Sequence, residues 1–99
     1  MELIERVEIL ENGQLILVLA SGGSPSYQHI YREAAEVQWN NNLKAFTSPV
    51  PREWSHSGWF HHIVKIAKNC NINLTINNQT SWVNISDDVK KEILSGKNT

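Results

Sequence analysis

The sequence predicts an α+β domain: an antiparallel sheet that starts with an N-terminal β-hairpin, one main helix packed on it, and a short C-terminal helix. Three observations carry this. An Asn12-Gly13 pair sits between two apolar runs within residues 2–20, the strongest short-range hairpin signal. Phe60, Ile63, Val64 and Ala67 repeat at the helical period. Ser86-Asp87-Asp88 precedes Val89 and Ile93, so a cap and an acidic first turn lead into a short apolar stripe. Ninety-nine residues make a single domain, 1–99, and no internal repeat divides it.

The hairpin comes first. A two-residue type I′ turn at Asn12-Gly13, where both central residues need positive φ, pairs Leu10 with Leu15, Ile9 with Ile16, Glu8 with Leu17 and Val7 with Val18. That register places Val7, Ile9, Ile16 and Val18 on the core face. The other face then carries Leu10, Leu15, Leu17 and Leu19 beside Arg6 and Glu8. A strand apolar on both faces is either central and covered or part of an interface. The second option makes Leu10, Leu15, Leu17 and Leu19 the candidate self-association residues and favours a homodimer. On this register Leu17→Lys breaks the assembly without unfolding the monomer.

Residues 21–26 form a loop by composition and lack the glycine spacing and lysine of a phosphate cradle. Tyr27, His29 and Tyr31 alternate with Gln28, Ile30 and Arg32, which suits a strand over 27–32. Further strands are expected at 35–39 and 44–48, joined at Asn40-Asn41-Asn42, because Asn tolerates the left-handed region. Residues 32–37 fit a helix as well. Pro49 and Pro51 keep 49–53 from being helical throughout. Ser55 or Ser57 then caps the main helix, which runs to about Asn69 and ends at Asn69-Cys70-Asn71. Trp59, Ile66 and Cys70 widen its apolar stripe, and His61, Lys65 and Lys68 fall on its wet side. Ile72, Leu74 and Ile76 alternate with polar residues as a strand, and a shorter strand is expected within 81–85. Ser86 caps the last helix, and Gly96 ends it.

Composition narrows the function. An apolar fraction of 40% with 19% charged residues is that of a folded domain, not a disordered chain. Net charge is −1 with the basic residues dispersed, which argues against nucleic acid and against anionic membrane surfaces. No apolar run approaches the length of a membrane span. A lone Cys70, and an N-terminus without the pattern of a signal peptide, place the chain in the cytoplasm. The sequons at Asn73, Asn78 and Asn84 follow from abundant Asn and are read as unmodified.

The segment 48–62 concentrates the chemistry, with Trp54, Trp59, Phe60, His56, His61 and His62. A metal site is not expected. His61 and His62 are adjacent, about 100° apart on a helix, rather than four apart as in helical zinc sites. Ser57 and His61 are spaced to touch on a helix, but a nucleophile also needs an oriented base and an oxyanion hole. No catalytic residue is therefore assigned, and no cofactor is expected. Cys70, at a helix C-terminus, is a packed small residue rather than a reactive thiolate. Arg52, Glu53, Trp54, His56, Trp59 and His62 are the candidate binding residues, since large rigid rings beside Arg are typical of interface hot spots. The same rings would also suit a small-molecule pocket. Exposure of the rings separates the two.

Ile30-Tyr31-Arg32-Glu33-Ala34, Val37-Gln38-Trp39, Ser48-Pro49, Trp54 and Trp59-Phe60-x-His62-Ile63-Val64 resemble small proteins encoded on bacterial integron gene cassettes. The resemblance spans residues 27–85 and implies an α+β, oligomeric product without an assigned activity. The order of strands, helix and the strand 72–76 is also similar to small toxin-immunity proteins, which act by binding a partner. Neither resemblance carries a functional residue across. The leading expectation is a non-catalytic, self-associating interaction module with a protein partner. The alternative is a small-molecule binder or weak enzyme with a Trp- and His-lined pocket.

Overall fold

The computed structural model describes residues 2–32, 36–51 and 54–95. The hairpin forms as expected in position but not in register. Strands β1 (Glu2–Ile9) and β2 (Leu15–Leu19) are joined through a three-residue loop, Glu11-Asn12-Gly13. The Leu10 N–H donates to the Gln14 carbonyl at 2.8 Å, and Gly13 N–H donates back to the Leu10 carbonyl at 2.8 Å. Gly13 takes φ +96°, the left-handed position of a turn closed by a glycine bulge. Ile9 therefore faces Leu15, Val7 faces Leu17 and Arg6 faces Val18. A slip of one residue exchanges the faces of a strand. Leu15, Leu17 and Leu19 consequently lie in the main core with Ile4 and Val7, while Ile16 and Val18 join Ala45 on the other side.

Two more strands, β3 (Gln38–Asn40) and β4 (Ala45–Thr47), form the expected second hairpin. The Asn40 side chain accepts from the Asn42 and Leu43 N–H groups, and Lys44 takes φ 55° to close the loop. Residues 27–32, expected as a strand, belong instead to a 3-10 helix, Pro25–Arg32. Three residues per turn put Tyr27 and Ile30 on one side, and Ile30 is buried. Tyr27 packs edge-on to Trp39 and stacks on Phe46, with ring centroids 5.4 and 5.6 Å away. The Tyr27 ring thereby packs over the β3 end of the core.

The main helix, α1 (His56–Asn69), starts where Ser55 accepts from the Gly58 N–H at 3.1 Å. It ends in a Schellman motif: Ile72 N–H bonds the Ala67 carbonyl, Asn71 N–H bonds that of Lys68, and Asn71 sits at φ 65°. After it come β5 (Leu74–Thr75), β6 (Ser81–Val83) and the helix α2 (Asp87–Leu94), capped by Ser86. The C-cap of α2 is Ser95; Gly96 lies outside the described residues.

The sheet order is β3-β4-β2-β1-β5, and β6 also pairs with β1. The α+β class, the opening hairpin and both helices are as the sequence predicts. The finer expectation of an antiparallel sheet is corrected at one edge, because β5 and β6 run parallel to β1. Parallel strands need a long crossover, and α1 supplies it. The two strands share the β1 edge end to end, β5 on Glu2 and Leu3, β6 on Arg6 to Glu8. At the junction the Ile4 carbonyl would be orphaned. The Thr80 hydroxyl, itself buried, donates to it at 2.7 Å.

One core results. Trp59, Phe60, Ile63, Ile66 and Ala67 of α1 pack with Leu15, Leu17, Leu19 and Phe46 of the sheet. All of β2 is buried. Of the two readings of a doubly apolar strand, the strand is central and covered. Among the described residues no helix is long and apolar enough to cross a membrane.

Candidate functional site

The site is built from the start of α1. Trp54 immediately precedes the capping Ser55, and Trp59 is the fourth helical residue. A contact between these two positions is the hydrophobic staple that fixes how a chain enters a helix. The two rings lie 4.8 Å apart. His62, one turn beyond Trp59, is edge-on to both, at 4.8 Å from Trp54 and 5.5 Å from Trp59. Trp59 is buried, 6% exposed, whereas Trp54 remains 50% exposed. One side of the Trp54 indole is thus spent on the staple and the rest faces outward.

An open groove of about 690 Å³ runs from Trp54 along the outer face of α1. Gly58, His61, Lys65 and Lys68 follow one another at steps of three and four, so they share a helix face, and Trp54, just before the cap, closes its start. Gly58 lacks a side chain and leaves the dent between Trp54 and the histidines. Phe60 and Val64 add apolar wall, and His62 lines the groove beside Trp54. Burial holds the His62 imidazole below the ordinary histidine range; Lys65 adds to the effect and Glu36 opposes it. His62 is therefore neutral at pH 7, and Lys65 and Lys68 are the charges among the described lining residues.

The other two histidines of this segment are anchors. His56 Nε2–H donates to the Gly13 carbonyl at 2.9 Å, tying the start of α1 to the β1–β2 turn. His61 Nε2–H donates to the Ile93 carbonyl at 3.2 Å. Ser57 donates to the Glu92 carboxylate at 3.0 Å. Ser57 has one proton to give, so in its 3.0 Å contact with Ser55 it is Ser55 that donates. This chain of hydroxyls docks α2 onto the α1 cap. Ser57 and His61 do not meet each other as nucleophile and base; each is committed to α2. Among the described residues no group of three His, Cys, Asp or Glu side chains is placed to hold a metal.

Of the six binding residues read from the sequence, Trp54, Trp59 and His62 come together. His56 is turned to the hairpin, and Arg52 and Glu53 lie outside the described residues. Of the four self-association residues, Leu15, Leu17 and Leu19 are 0%, 0% and 2% exposed within one chain and pack in its main core. Leu10 is half-buried against Ile16, Val18 and Ala45. The reason is the register slip in the hairpin. The sequence reading missed Gly58, Lys65 and Lys68 as groove residues. Their signal was present as the regular spacing of Gly58, His61, Lys65 and Lys68 along one side of the helix.

A family model for the integron cassette protein Hfx_Cass5 matches residues 11–80, more than half of the chain. The chain belongs to this family. A solved structure of an integron cassette protein Hfx_Cass5, from the mobile metagenome of North West Arm Sewage Outfall, is 31% identical to it. The match covers 100% of this chain and 97% of that one, with a TM-score of 0.44. No curated protein matches the chain. The stretches that carried the cassette resemblance, from Ile30 to Val64, all fall inside the family match, as does the whole of the α1 groove.

Proposed function

We propose that the chain is a non-catalytic interaction module that binds a partner protein through the outer groove of α1. The observation that carries this reading is Trp54. A staple needs contact between Trp54 and Trp59, yet half of this large ring is left exposed at the mouth of a groove. Tryptophan is enriched among the residues that dominate binding energy. The groove is open along its length and built on one helix. A small-molecule site instead encloses most of its ligand. Its volume, about 690 Å³, does lie within the range of ligand pockets, so a ligand for the Trp54–Trp59–His62 rings is the second reading.

Native mass spectrometry of the untagged protein from its host, wild type beside Trp54→Ala, tests both. The interaction reading expects an added polypeptide mass on the 11.3 kDa chain that Trp54→Ala lacks. An added mass of metabolite size, lost in the same variant, would favour the ligand reading. A bare chain in both samples would leave neither supported. An integer multiple of the chain lost with Trp54 would make the partner a second copy.

A further inference from the structure

We infer that the α1 groove takes an acidic segment of a partner protein, with one large apolar side chain set against Trp54 and carboxylates set against Lys65 and Lys68. This rests on the interaction reading above and adds the chemistry of the partner. The groove divides along its length. Its first part, around Trp54, Gly58 and Phe60, offers rings and a dent without charge. Its second part carries two lysines, and no carboxylate lines it among the described residues. The whole chain has ten acidic and nine basic residues, so this local excess of positive charge is not the general character of the surface. His62 lies at the join and is neutral, with Glu36 near enough for its charge to act on the ring.

The spacing sets the ligand's pattern. Gly58 to Lys65 is seven residues, or about 10 Å along a helix axis, and Lys68 lies about 15 Å from Gly58. An extended peptide advances about 3.3 Å per residue. For an aromatic anchor seated in the Gly58 dent beside Trp54, acids roughly three to five residues away therefore meet the lysines. Two lysines are too few for a phosphate-tracking surface, and protein carboxylates need only a local match. Electrostatic complementarity of this kind sets specificity and approach more than raw affinity, and the exposed Trp54 supplies the anchor.

The test is fluorescence anisotropy with labelled peptides against the full chain. One peptide carries Phe followed, after a short spacer, by a run of Glu. A second replaces each Glu by Lys, and an oligothymidine is the third probe. The acidic peptide is expected to bind, weakening as salt is raised, and to lose about tenfold or more in Lys65→Glu/Lys68→Glu and in Trp54→Ala. The thermal transition of each variant confirms that it is folded. Equal binding of the Lys peptide, or no loss in the double lysine variant while Trp54→Ala still loses, overturns the acidic partner and leaves the groove as the site. Binding that Trp54→Ala does not weaken overturns the site itself. Preference for the oligothymidine, or no binding of the acidic peptide, overturns the inference.

Discussion

Gly23 lies against the edge of Trp39. A Cβ built there would come within 2.3 Å of two Trp39 ring carbons, and Gly23 holds φ +79°. Trp39 cannot yield, because its ring is packed edge-on to both Tyr27 and Phe46. Gly22 is a natural control, with φ +82° and nothing within 4 Å of where a Cβ would sit. Gly22→Ala should cost about 1–2 kcal/mol of backbone strain, and Gly23→Ala a further ~1–3 kcal/mol of overpacking. Urea midpoints of the two variants measure the difference, and equal midpoints would show that Trp39 can move. The neighbouring Tyr27 hydroxyl donates to the Glu2 carboxylate, which also accepts from Ser21 at 2.5 Å. Burial pushes the Tyr27 phenol up to about 12, and the hydrogen bond and charge of Glu2 push the same way. The folded chain thus keeps a proton that the unfolded chain loses near pH ~10. That contribution is complete below pH ~10 and fades as pH rises towards about 12. Tyr27→Phe should flatten the fall of stability across this window, and parallel curves for the two proteins would exclude the phenol as its source.

The hairpin shows why elements are easier to read than their registers. Alternation along Leu15-Ile16-Leu17-Val18-Leu19 is apolar at every position, so either register buries a hydrophobic set and the pattern cannot choose. Contacts remote in sequence choose. The Leu15 N–H donates to the Ser48 hydroxyl at 3.0 Å, and the Gln14 side chain donates to the Ser48 carbonyl at 2.9 Å. The consequence for Leu17 reverses the expectation from the sequence. It is fully buried, so Leu17→Ala should cost about 2–5 kcal/mol, and Leu17→Lys, which buries a charge without a partner, should abolish the cooperative transition. Circular dichroism on heating checks this; a folded Leu17→Lys monomer would restore the outward register. The 3-10 helix was illegible for a related reason. Tyr27, His29 and Tyr31 alternate like a strand, but the packed pair Tyr27 and Ile30 keeps a period of three, and the partners that fix it, Trp39 and Phe46, come later in the chain. Elements with local signals were legible: Ser55 and Ser86 cap their helices, and Asn71 closes α1. The Trp54–Trp59–His62 group was legible because all three belong to one helix start. Its extension to Lys65 and Lys68 needed the groove to be seen.

At the scale of the molecule, one chain closes its own core. The Cα radius of gyration is 12.2 Å, near the ~13 Å of a compact domain of about 100 residues. The central strand β2 is buried along its whole length: Leu15, Leu17 and Leu19 pack in the main core with α1, and Ile16 and Val18 pack with Ala45 and Leu10 on the opposite face. The hairpin therefore supplies no apolar face that requires a second copy, and any assembly would have to use a surface outside this core. Folding should then be independent of protein concentration. If a dimer were needed to complete the fold, mass action would add about 2.7 kcal/mol once the partner reached a hundredfold excess over its dissociation constant. Urea unfolding repeated over a hundredfold range of concentration measures this directly, and a constant midpoint is the expected result. A rising midpoint would mean that a second copy is part of the folded core, with the sheet face around Leu10 as the place to look. A constant midpoint alongside partner binding that depends on Trp54 would separate the two layers of the molecule: a sheet and helix that fold alone, and an outer helix face free to be occupied.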